Sequence, residues 1–366
     1  MPKYYLLLLS LLGGCDGLWQ GLRQPVAENC VANPAACGPA EVCNLTTEVC
    51  EPARAADSDM GSSTGIGGEC APTDFCWQQP LPQGNSLRSV SMLSPTSGFV
   101  VGDHGSIWQL GPSGWQSARS PTKNSLLGVS AISATAAVAV GQAGTVLRLD
   151  GGRWSTVSCN TQVMLRGVRA ISASDIWIVG DQGTVLRLQG NTCTPLSSGV
   201  QVQLNSVDAS SSTNIWMAGA QGTILHYDGS GFRTQMSGTK EELRSIYAAT
   251  AAEAFACGTR GTMLRFVAGG WSPVSLGTTQ SLEAVHGRLA DNVVVTAASG
   301  AAYRYDGNVW KSLPTGTTNR LDGVFVTSSE AWMVGDFGTI LSGNCQWRHR
   351  DDWSYMVGER GRWTNS

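Results

Sequence analysis

Short apolar-rich runs, each opened by a leucine, return every 39 residues along this chain, at Leu87, Leu126, Leu165, Leu204, Leu243, Leu282 and Leu321, with no insertion between successive starts. A fixed period of this length marks a repeat architecture, in which each unit buries its apolar faces only against its neighbours. The third copy shows the pattern within a unit: Leu165-Arg-Gly-Val-Arg-Ala-Ile, a polar turn from Ser172 to Asp175, Ile176 to Gly180, a turn at Asp181-Gln-Gly183, then Thr184 to Leu188. β-rich runs split by glycine turns are hairpin signals. The turn glycine recurs as Gly105, Gly144, Gly183, Gly222, Gly261, Gly300 and Gly338. A second hairpin turn follows, as at Asp228-Gly and Asp306-Gly, and leads to a fourth strand marked by Trp115, Trp154, Phe232, Trp271, Trp310 and Trp347, with Cys193 in that slot of the third copy.

Runs such as Ala137-Val-Ala-Val140 lack clean alternation, which fits strands covered on both faces. Four strands per 39-residue unit predict an all-β, seven-bladed β-propeller with four antiparallel strands per blade over residues 70–347. The rival, an open β-solenoid, needs fewer residues per turn. Trp77 lies ten residues before Leu87, where the other blade tryptophans stand eleven before the next leucine, so it reads as a fourth strand without its first three. It competes with Trp347 to complete the seventh blade. A disulfide from Cys345 to Cys70 or Cys76 would lock that closure.

The chain begins with Met-Pro-Lys, a nearly uniform apolar run from Tyr4 to Leu12, and Leu12-Gly13-Gly14-Cys15. A basic start, a short apolar run and small residues before a cut point describe an export signal too short to span a bilayer. The last four residues resemble the bacterial lipobox, which implies a signal peptide over 1–14 and lipidation of Cys15; the alternative is an ordinary secretory signal. A tether is expected over 15–29, and a Cys-rich segment over 30–52, where Cys30, Cys37, Cys43 and Cys50 are separated by six, five and six residues. Two disulfides would staple it, since so short a segment cannot bury a core; zinc is the rival, without a Cys-x-x-Cys pair to favour it. Residues 53–69 are too poor in apolar groups to offset their ordering entropy, so a flexible linker is expected. Residues 348–366 form a tail, expected to cover an edge. Cys159 and Cys193 fall on outer strands of adjacent blades and are expected to pair. Cys257 reads as a buried free thiol.

A net charge of −3 with no basic block argues against nucleic acid. In a propeller the first strand of each blade lines the channel. Its variable slots are therefore the ligand-binding candidates: Arg88, Arg166, Arg244, Glu283 and Asp322 directly after the leading leucines, and Arg169, Asp208, Tyr247 and His286 three residues on. The arginines could fork onto a carboxylate or another anion, or they pair with Glu283 and Asp322 across a solvated channel. A second ring of candidates is the turn between second and third strands, Asp103-His104, Gln142, Asp181-Gln182, Gln221, Arg260 and Asp336-Phe337, whose aspartates are expected to satisfy local backbone groups. No nucleophile elbow, phosphate loop or metal spacing stands out.

The unit Val-Gly-Asp-x-Gly-Thr-Val-Leu-Arg followed by Asp-Gly-Gly-x-Trp resembles the repeats of Ycf48-like and BNR-type propellers over residues 77–347. That resemblance implies architecture. Leu149-Asp-Gly-Gly-Arg-Trp154 lacks the Ser or Thr positions of a sialidase Asp-box, which argues against that chemistry. The expectation is a monomeric, non-catalytic lipoprotein of the bacterial cell envelope, at the outer membrane, periplasmic face or cell surface. It needs no cofactor or metal, and its propeller binds a protein, peptide or glycan. The alternative is a propeller-type glycan hydrolase or lyase using Arg88, Arg166, Arg244, Tyr247, Glu283 and His286.

Overall fold

A computed structural model describes residues 41–44, 49–52, 76–77 and 84–344. The chain divides into two compact units, Met1–Ser62 and Ser63–Ser366. In the first, Glu41–Asn44 and Val49–Pro52 form an antiparallel hairpin whose register sets Cys43 opposite Cys50. The lipobox, Cys30, Cys37, Cys70, Cys345, Trp347 and the tail lie outside the described residues. No helix among those described is long and apolar enough to cross a membrane.

The second unit is a seven-bladed β-propeller, each blade a four-stranded antiparallel sheet with its strands in chain order from the axis outward. Blade 3 is typical, with strands Leu165–Ser172, Asp175–Gly180, Val185–Gln189 and Thr192–Leu196. Blade 7 differs. Its first three strands are Leu321–Val326, Glu330–Gly335 and Ile340–Asn344, and its fourth is Cys76–Trp77, from ahead of blade 1, with Trp77 opposite Leu341. The early strand therefore takes the closing position.

Sheets pack face to face, and most interfaces repeat one contact. A buried second-strand aromatic of one blade meets the outer-strand aromatic of the next, edge to face: Phe99 with Trp154 at 6.0 Å, Trp177 with Phe232 at 6.3 Å, Trp216 with Trp271 at 5.5 Å, and Trp332 with Trp115 at 5.7 Å. Such pairs add about 0.5–1.5 kcal/mol each beyond their area. Between blades 2 and 3 the aromatic is missing on both sides, with Val138 and Cys193 in the same cluster. There Cys193 is bonded to Cys159, just past the outer strand of blade 2, with Cα atoms 5.1 Å apart. A covalent link stands where four of the other interfaces use an edge-to-face pair. Cys257 is a buried free thiol, and burial pushes its ionisation up.

Glycine is needed at the end of the second strand by close approach. In six blades a Cβ there would sit 1.8–2.3 Å from the carbonyl that precedes the leading leucine, as for Gly180 and Met164. That carbonyl accepts the next N–H, Asp181 to Met164 at 2.9 Å, and ties the turn to its own first strand. In blade 6 Ala297 replaces the glycine, and the three-residue turn seen in the other six blades gives way to a different one.

Candidate functional site

In all seven blades the ladder between first and second strands slips between the leading leucine and the second residue after it, as at Leu87/Ser89, Leu126/Gly128 and Leu282/Ala284. The residue between is a β-bulge, left out of the ladder and re-aimed. Those residues are Arg88, Leu127, Arg166, Asn205, Arg244, Glu283 and Asp322. All line one central channel of about 170 Å³, at the mouth where the first strands begin. The bulge explains why this slot tolerates any chemistry.

Across blades 5, 6, 7 and 1 the mouth is an alternating chain of charges. Arg244 pairs with Glu283; Arg320 reaches Glu283 at 2.8 Å and Asp322 at 2.5 Å; Arg88 reaches Asp322 at 2.7 Å. Arg88 also forks onto Asp103, Nε to Oδ1 at 3.1 Å and Nη2 to Oδ2 at 2.8 Å. Hydrogen bonding from Arg88 lowers the Asp103 carboxyl, while burial raises Asp322 despite Arg320 and Arg88. On blade 3, Arg166 pairs with Asp181. The turn aspartates thus hold bulge arginines instead of local backbone. Blade 7 carries acids at both slots, Asp322 and Asp336, so its compensation comes from blade 1 and from Arg320.

The second set of candidates, three residues deeper, has another job. The innermost strand of each blade is a sheet edge with unpaired N–H groups, and in blades 2, 3, 5, 6 and 7 side chains of the preceding blade cap them. Val129 N–H donates to Ser89 at 3.2 Å, Ala131 to Ser91 at 3.0 Å, Ala170 to Ser130 at 3.0 Å, Ile246 to Ser206 at 3.2 Å, Ala248 to Asp208 at 2.9 Å, Val285 to Ser245 at 3.1 Å and Val326 to His286 Nδ1 at 3.0 Å. His286 is therefore an acceptor at Nδ1, stacked on Phe325, and burial depresses its pKa to about 3. Tyr247 turns into the apolar interface of blades 5 and 6 and is 5% exposed. Small polar residues alternating with valine were the available signal for this stitching.

Asp208 is buried and paired with Arg169 at 3.0 Å. Burial raises its carboxyl above the ordinary value, and Arg169 opposes the rise. A folded-state pKa above the unfolded one means stability that is full below the unfolded value and is lost as pH rises through the folded one. Arg169→Met lifts the folded value further. Urea unfolding should show a loss of about 2 kcal/mol at pH 7.5 that shrinks toward zero near pH 4; an equal loss at both would contradict the assignment.

Above the bulges, on the same axial face, stand the turns between second and third strands. In six of them a residue other than glycine takes a left-handed conformation: His104, Ala143, Gln182, Gln221, Arg260 and Phe337, with φ from 51° to 58°. Phe337 is 61% exposed there. The conformation costs L-residues about 1–2 kcal/mol, and an aromatic gains nothing from it while solvent-exposed. Among the described residues, no three His, Cys, Asp or Glu converge as a metal site.

No family model matches the chain, and no curated protein matches it. Solved structures do. YCF48 bound to D1 peptide superposes with a TM-score of 0.63 at 14% identity, covering 75% of this chain and 96% of that one. YCF48 from Cyanidioschyzon merolae gives 0.60 at 18%, covering 74% and 99%. A catalytically inactive virginiamycin B lyase from Staphylococcus aureus with quinupristin gives 0.66 at 12%, covering 74% and 98%. At these identities the likeness is one of fold: the chain is a β-propeller of the shape shared by Ycf48 and by propellers of unrelated activity.

Proposed function

We propose that this protein is a non-catalytic lipoprotein of the bacterial cell envelope, anchored through Cys15, whose propeller binds a protein or peptide partner at the channel mouth. The observation that carries the reading is the pairing of seven re-aimed bulge residues with a crown of exposed, strained turn residues on one face. Strain held at exposed positions is a mark of a working surface. A propeller of the same shape, YCF48, has been solved with a peptide. Binding is favoured over catalysis because the channel arginines and carboxylates are committed to one another and His286 is engaged at Nδ1. A glycan platform is disfavoured because Trp154, Trp177, Trp216 and Trp332 are buried between blades. The Cys159–Cys193 bond suits an oxidising compartment.

Phe337→Asn with Gln182→Asn tests the surface. Asparagine accepts the left-handed conformation, so stability should rise by about 1 kcal/mol. Co-purification of the partner from detergent-solubilised envelopes should fall at least tenfold, while Leu289→Glu, on the opposite axial face, should leave it unchanged. Retained capture by the double variant would overturn the assignment. Anchorage is tested separately: radioactive fatty acid should label the wild type and not Cys15→Ala.

A further inference from the structure

We propose that the mouth carries one docking notch, at blades 2 and 3, which takes an aliphatic side chain of a peptide with a carboxylate beside it. This rests on the mouth being the partner-binding face.

The charged arc from blade 5 round to blade 1 is closed on itself. Glu283 and Asp322 are nearly buried, and each is held by two arginines. A partner docking there would have to break buried ion pairs, which costs several kcal/mol. That arc is a wall.

Blade 2 breaks the ring. Its bulge residue is Leu127, half-buried and lining the channel, and its turn carries the neutral Gln142. Twice in this ring a bulge residue touches the residue ahead of the next blade's leading leucine: Asn205 meets Glu242 at 3.1 Å, and Glu283 meets Arg320 at 2.8 Å. The same repeat relation sets Leu127 beside Met164, also half-buried. Blade 2 thus offers an aliphatic bulge residue, with half-buried Met164 in the equivalent neighbouring position, between blades 1 and 3, which carry Arg88 and Arg166 at that slot.

The flanks are unequal. Arg88 is fully committed, with Nε and Nη2 on Asp103 and Nη1 on Asp322. Arg166 uses Nε and Nη2 on Asp181, and its Nη1 has no partner among the described residues. The notch therefore combines an apolar floor with a single cationic edge. Its complement is an aliphatic side chain next to a carboxylate, supplied either by an acidic side chain or by a chain terminus.

Both sources can be offered to the full mature chain as capped glycine-rich hexapeptides and followed by calorimetric titration. One carries leucine-glutamate with an amidated end, one ends in leucine with a free carboxylate, one carries leucine-lysine, and one carries glycine-glutamate. At least one acidic leucine peptide should bind tenfold or more tighter than the lysine and glycine peptides, and which one identifies the carboxylate source. Leu127→Asn, which installs the side chain blade 4 carries at its own bulge, and Arg166→Gln should each remove that preference with circular dichroism unchanged. Equal binding of all four peptides, or a preference that survives Leu127→Asn, overturns the notch. If the peptides fail while partner capture still depends on Phe337 and Gln182, the notch alone is wrong; if capture is indifferent to them as well, the reading of the mouth falls with it.

Discussion

A chain starting at Gly84 is expected to melt about 10 °C or more below one starting at Ser63, and to aggregate on heating. The two differ in the closing strand, which pairs Cys76 with Ser342 and Trp77 with Leu341. Every other blade covers its third strand with a fourth from its own repeat; among the described residues blade 7 has only this borrowed one. Without it, Ile340–Asn344 becomes an open edge, the kind of surface that invites pairing with other chains. The ring also loses the segment that joins its two ends, so separation of blades 1 and 7 is opposed only by their own packed interface, the cluster of Leu87, Val90, Trp332 and Val334 with the Trp115–Trp332 contact and the Arg88–Asp322 pair. A loss of about 3–5 kcal/mol corresponds to roughly 10 °C for a domain of this size. Calorimetry and light scattering read both effects. Equal melting of the two chains would mean that closure needs no borrowed strand.

The second large effect is expected from Cys159→Ser with Cys193→Ser. The bond spans 34 residues, and removing so long a cross-link costs about 3–4 kcal/mol on the chain-entropy account. Here the cost has no cushion, because the interface of blades 2 and 3 lacks the aromatic pair that supports its neighbours. Urea unfolding should show the full loss in the double variant, and the same loss in reduced wild type. A change below about 1 kcal/mol would show that packing around Val138 holds this interface by itself.

Much of this fold was legible from the sequence because each requirement is local and repeated. Leucine starts a strand, glycine admits a close carbonyl, an aromatic fills the interface, and a period of 39 places them all. The Cys159–Cys193 pair was legible as well, since a cysteine occupying an aromatic slot has few other reasons to be there. The closing strand was half legible: Trp77 and Trp347 fit the same slot by spacing, and strand pairing chose the first. The chemistry of the channel was harder to read. Arg88 and Asp322 lie 234 residues apart, and only ring closure brings them together. Asp103, which looks like a turn residue, forks onto Arg88 because a bulge points that arginine at it. Ser91, Asp208 and His286 share a slot, yet they cap the next blade's edge at a separation of 40, one residue more than the period. Tyr247 shares it too and goes to the core, because its ring has no acceptor atom like Nδ1 of His286 to take that N–H and gains more from burial.

On the proposed function, one axial face of this propeller, the face of the bulges and left-handed turns, meets the partner. Site-specific photo-crosslinking in the native host tests it most directly, with the probe placed in turn at Gln182 and Phe337 on that face and at Leu93 and Leu289 on the other, all exposed. One discrete protein adduct is expected from the first two positions and none from the second two. Adducts confined to Leu93 and Leu289, or formed equally from all four, would contradict it.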